Sequence, residues 1–173
     1  MRRSMIAAAL TVFVVLAAAT GASAANAPSP SYQVSGIATV TPQGTTTWLA
    51  GLATGSTGDR GFWQASLTTG PLTGCSTLGS SCAVTGGTFG LNSNNRSQVA
   101  GTFYDGSVSL TAQAPGCGRQ QFTVTGFGSD AAADQVTFTA VLTQYRLSFR
   151  GTCFTLPGAT VAGSVSISRV VGA

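Results

Sequence analysis

Residues 99–110 read VAGTFYDGSVSL, and how this stretch is parsed sets the strand count of the whole chain. Asp105-Gly106 lies between two alternating apolar runs. Asp-Gly in that setting is among the strongest local signals for a two-residue hairpin, because both residues tolerate the positive φ that the turn requires. The reading predicts strands at 97–104 and 107–114 with Asp105 as a corner, and it makes Asp105 a turn carboxylate, not a catalytic acid.

Period-two alternation punctuated by turn residues extends in both directions. It predicts further strands near 32–40, 45–54, 61–69, 83–91, 120–127, 135–153 and 159–169. The phase slips inside the 135–153 stretch: Val136, Phe138, Ala140 and Leu142 are even, Tyr145, Leu147 and Phe149 odd. A bulge or tight turn near Thr143-Gln144 is expected there. TPQG, TGSTGDRG, LNSNNRS, APGCG, GSDAAAD and LPGA carry turn chemistry. With no helical periodicity beyond the N-terminus, the expectation is an all-β, antiparallel barrel or sandwich of nine to ten strands. Glycines recurring two residues after valine, as in VTGGTF and VAGSVS, imply bends or close backbone approach within strands.

The N-terminus is read as a targeting segment. Arg2 and Arg3 precede an apolar run from Met5 to Ala19, and Ala22-Ser23-Ala24 offers a cleavage site before Ala25. The expected organisation is a cleaved signal peptide at 1–24, a flexible lead at 25–31 and one β-domain at 32–173. No later apolar run is long enough for a membrane-spanning helix. The expected destination is secretion, or the cell envelope.

Four cysteines in an exported chain predict two disulfides with three possible connectivities. Cys75 and Cys82 enclose the Gly/Ser-rich STLGSS, which favours Cys75–Cys82 and leaves Cys117–Cys153. A four-cysteine zinc site is the alternative, but no C-x-x-C pair is present. No metal or cofactor is expected.

The eight basic residues are all arginine, the four acidic residues are all aspartate, and there is no histidine. Beyond residue 24 the balance is mild, at six arginines against four aspartates, without the clustered charge that nucleic acid requires. Lacking histidine and lysine, the chain has none of the usual bases for nucleophilic hydrolysis or Schiff-base chemistry. A hydrolase working through aspartate or tyrosine is the enzymatic alternative. Asp59, Asp130 and Asp134 all fall in predicted turns, and the spaced oxygen pattern of a calcium loop is absent.

Binding is the leading expectation, either of a small apolar ligand in a barrel mouth or of a surface glycan. Trp48 and Trp63, on adjacent predicted strands, are candidate stacking platforms, although large aromatics in small β-domains more often fill the core. In QYRLSFR, residues 144–150, Arg146 and Arg150 share one face with Gln144 and Ser148 and are candidates for an anionic group. A structural or interaction role in the cell envelope is the other non-enzymatic reading. Asn95 begins an N-R-S glycosylation pattern.

Overall fold

In the computed structural model, residues 30–40, 45–94 and 98–169 are described. The expected signal segment, most of the lead, the TPQG turn and Asn95 lie outside the described residues. The fold is a closed, eight-stranded, up-and-down antiparallel barrel. Its strands are β1 (Ser31–Thr39), β2 (Thr46–Gly55), β3 (Arg60–Thr69), β4 (Ser81–Ser93), β5 (Val99–Gln113), β6 (Arg119–Asp130), β7 (Gln135–Phe149) and β8 (Thr152–Ser168). A short 3-10 turn, Leu72–Cys75, lies between β3 and β4. Each strand pairs with its sequence neighbours, and β8 returns to β1 through Val34↔Gly163 and adjacent pairs. Closure removes the open edges that a sandwich would have to protect.

The Asp105-Gly106 hairpin is not formed. β5 runs unbroken past it, and its register on β6 shifts between Phe103 and Asp105, leaving Tyr104 as the extra residue of a bulge. A two-residue hairpin of this kind needs positive φ at both central positions. Here only Gly106 has it, at 148°, with its amide donating to Asp105 Oδ1 at 2.7 Å. The extra residue changes which parity faces inward: Phe103 is buried before the bulge, and Val108 and Leu110 after it. A hairpin and a bulge leave the same trace in the sequence. They separate only when β4 and β6 are long enough to pair with both halves.

The turn with two positive φ angles is Arg150-Gly151, at 50° and 79°. It divides the 135–153 stretch into β7 and the start of β8. The expected irregularity is present as a register shift against β8 between Gln144 and Arg146, but its extra residues lie on β8. The parity of β7 does not slip, and Tyr145, Leu147 and Phe149 stay on its exposed outer face. LPGA does not end a strand, because β8 continues through Pro157-Gly158, where Pro157 O accepts from the Val40 amide at 2.7 Å. Merging the two runs around Asp105, and those on either side of Pro157-Gly158, reduces the nine to ten expected strands to eight.

Inward-facing side chains fill the barrel. Trp63, Phe138, Phe103 and Phe89 form a chain of ring contacts with successive centroid separations of 5.6, 6.2 and 5.1 Å. Leu67, Val124 and Leu142 pack among them, fully buried. The void between Trp63, Phe89, Phe103 and Phe138 amounts to only about 20 Å³. At one rim Gln120 Nε2 donates to Gln144 Oε1 at 2.8 Å, and Gln144 Nε2 donates to Leu156 O at 2.6 Å, so the buried amides are mutually satisfied.

A barrel this narrow needs sharp coiling, and inward-facing glycines supply it. Gly36 and Gly51 are cross-strand partners. A Cβ built on Gly36 would lie 2.7 Å from Gly51 Cα, closer than real side chains approach.

Both expected disulfides are present, Cys75–Cys82 and Cys117–Cys153, with sequence separations of 7 and 36. They are characteristic of an oxidising compartment. The second ties the β5–β6 loop to the outer end of the β7–β8 hairpin. In the chain-entropy picture the longer loop contributes about 4 kcal/mol and the shorter about 2.5 kcal/mol. Serine replacement of Cys117 and Cys153 is therefore expected to lower the urea midpoint more than replacement of Cys75 and Cys82. The reverse order would mean that local packing, not loop closure, sets their value.

Candidate functional site

The outer wall of β1–β5 carries a groove built from three registered rows. The central row crosses five strands as Ile37↔Ala50↔Gln64↔Gly90↔Ala100. On one side runs Thr39↔Trp48↔Ser66↔Thr88, and on the other Leu52↔Phe62↔Asn92. With roughly 4.8 Å between strands, the floor is about 19 Å long, perpendicular to the strands. Small residues at Ala50, Gly90 and Ala100 keep it low, while Trp48 and Phe62 stand up from the flanking rows.

The hollow beside Trp48 encloses about 500 Å³. An adjoining one of about 300 Å³ reaches Phe62 and Asn92, and the two share Ala50, Gln64, Gly90 and Gln98. Among the described residues, no charged side chain lines either. The polar groups are amides and hydroxyls: Gln64, Gln98, Asn92, Thr39 and Thr88. Ser66 Oγ and Thr88 Oγ1 lie 2.9 Å apart and hold the wall beneath Trp48 together. Gly90 differs from the barrel's inward-facing glycines. A Cβ there would meet only the Gln64 side chain, at an ordinary 3.6 Å. The backbone does not demand glycine at 90, and what its absent side chain does is leave the floor open.

The four residues singled out from the sequence separate in space. Trp48 is 62% exposed on one wall of the groove, and Phe62, on the opposite flanking row, is 71% exposed. Trp63 points inward, 4% exposed, and its indole Nε1 donates to Ser35 O at 3.3 Å. The two tryptophans therefore share no surface. Arg146 is turned onto the β5–β6 loop, donating from Nη2 to Ala114 O at 3.1 Å and Gly116 O at 2.6 Å. Arg150 occupies the hairpin turn, its guanidinium carbon 5.3 Å from the centre of the Phe149 ring. These two arginines do not converge on a common ligand position.

The aspartates occupy turns and the bulge. Asp130 Oδ1 accepts from the amides of Ala132 and Asp134 at 2.8 and 2.9 Å, which caps the β6–β7 turn. Among the described residues, no three His, Cys, Asp or Glu side chains gather as a metal site would require. No helix there is long and apolar enough to cross a membrane.

Sequence reasoning passed over Ile37, Gln64, Gly90 and Ala100, which are unremarkable within their own strands and become neighbours only through cross-strand register. A trace was present at Phe62, which shares its parity with Gln64 and Thr68 and so belongs to the polar face. An aromatic on that face is a surface feature. Compared with known proteins, the chain matches no family model, no curated protein and no solved structure.

Proposed function

We propose that the protein is an exported, non-enzymatic binder of an uncharged glycan chain, held across the outer wall of β1–β5. The observation that carries this reading is a groove whose described lining is uncharged, with two exposed aromatics, Trp48 and Phe62, and amides between them. Trp48, on β2, pairs with Ser66, which lies four residues along β3 from Phe62. The two rings therefore stand roughly 13 Å apart in the strand direction, and each can stack on a different sugar ring of one chain. Gln64, Asn92 and Gln98 offer donors and acceptors to ring hydroxyls without a charge to desolvate. The filled barrel interior supports a surface glycan over a small apolar ligand in the barrel mouth.

Export belongs to the same reading. It is supported by the arginine-led apolar N-terminus and by the two disulfides. A mature N-terminus at Ala25 in protein collected from the medium is the expected mass-spectrometric result.

The binding test is affinity electrophoresis and calorimetry against neutral polysaccharides, namely β-glucans, xylans, mannans and chitin oligomers. Wild type is expected to bind at least one class. Trp48→Ala should weaken that binding by about tenfold or more, at roughly the worth of one stacked aromatic. Gly90→Leu should do the same by filling the floor, with the fold intact. Equal binding by wild type and both variants, or no binding to any class, rejects the groove as the site.

A further inference from the structure

The β7–β8 hairpin presents a second uncommitted surface, separate from the groove. Beyond Gln144 the two strands pair mainly with each other, through Arg146↔Thr155, Leu147↔Phe154, Ser148↔Cys153 and Phe149↔Thr152. One face is occupied: Cys153 is bonded to Cys117, and Arg146 is pinned to the β5–β6 loop. The opposite face carries Tyr145, Leu147, Phe149, Phe154 and Leu156, between 39% and 59% exposed. Phe149 and Phe154 touch edge to face at 6.3 Å. Contiguous apolar surface of this kind is uncommon on a chain without a partner.

Charge says what covers it. The turns of β3–β4, β5–β6 and β7–β8 lie at one end of the barrel, and that end holds Arg119, Arg146 and Arg150 with no acidic residue. Asp59, Asp130 and Asp134 lie in the turns at the other end, and Asp105, paired with Phe127, sits in the half of β5 nearer to it. Arg119 and Arg150 are exposed and rim the apolar face itself, Arg119 as the cross-strand partner of Tyr145 and Arg150 over the edge of Phe149. Two arginines at the margin of an apolar, aromatic-rich tip complement a surface that is anionic outside and apolar beneath.

We propose that this hairpin docks the barrel onto an anionic lipid bilayer. Leu147, Phe149, Phe154 and Leu156 enter the boundary between headgroups and acyl chains, and Arg119 and Arg150 pair with headgroup phosphates. The hairpin ladder satisfies its internal backbone groups, whereas among the described residues its outer edges beyond Tyr145 and Pro157 have no ladder partner. That limits insertion to interfacial depth. Tyr145, at the base of the face, falls at headgroup level, where an aromatic with a polar tip is favoured. The disulfide to Cys117 holds the tip in its inserting shape, so little ordering is lost on docking.

The test is vesicle co-sedimentation of the exported chain with phosphatidylcholine alone and with phosphatidylcholine mixed with phosphatidylglycerol. Wild type is expected to bind the anionic vesicles selectively and to be released by salt. Leu147→Ser combined with Phe154→Ser should weaken binding by about thirtyfold or more. Arg119→Gln with Arg150→Gln should remove most of the preference for phosphatidylglycerol. All variants share the wild-type N-terminus, and their unchanged circular dichroism and neutral-glycan binding would show that fold and groove are intact. Equal vesicle binding by wild type and the serine variant overturns the proposal. So does wild type that ignores vesicles, whether it stays monomeric or self-associates through the hairpin in sedimentation velocity.

Discussion

Trp63→Ala is expected to lower the unfolding free energy by about 3–5 kcal/mol, whereas Trp48→Ala changes it by less than about 0.5 kcal/mol. Trp63 packs on Phe138 in the barrel interior, and the void beside it is too small to relax into the space an indole would vacate. Losing the ring leaves a cavity lined by Phe89, Phe103 and Phe138, and it also removes the donor to Ser35 O. Trp48, on the outer wall, gives up little burial. Urea titration followed by far-ultraviolet circular dichroism measures both. The two variants thus separate stability from the proposed binding: one is expected to lose stability, the other affinity for glycan. Similar destabilisation by both would mean that Trp48 is covered in the native protein, and the groove would lose its aromatic wall.

A second contrast uses two glycines of different purpose. Gly36→Val is expected to cost about 3 kcal/mol or more, because its side chain would be driven into the backbone of β2, which cannot give way without breaking the β1–β2 ladder. Gly90→Val should be close to neutral in stability, or slightly favourable, since valine suits an extended strand and meets only the flexible Gln64. Thermal unfolding of the pair decides the matter. A stable Gly36→Val barrel would show that the close approach of β1 and β2 is not needed for closure.

Alternation within a strand identifies two faces but not always which one turns inward. In β3 the answer was legible, because Phe62, Gln64 and Thr68 oppose Trp63, Ala65 and Leu67. In β2 it was not: Trp48, Ala50 and Leu52 are as apolar as Leu49, Gly51 and Ala53. Only closure of the barrel, with Leu49 and Ala53 buried, put Trp48 outside. Asp105-Gly106 shows the same limit in another form. A local turn preference of this size yields to two flanking ladders, because the pairing with β4 and β6 satisfies more backbone groups than a hairpin there would leave satisfied.

The sequence by itself determined the β class, both disulfides, an irregularity near Gln144 and the amphipathic alternation of residues 144–149. Each of these depends on spacing along the chain, through side-chain period, loop closure or local φ. The tertiary structure alone decided that the sheet closes at eight strands, that Asp105 marks a bulge, and that Ile37, Ala50, Gln64, Gly90 and Ala100 form one floor. Those are properties of register between strands. Register is set by the packing of the whole interior, which no single segment encodes.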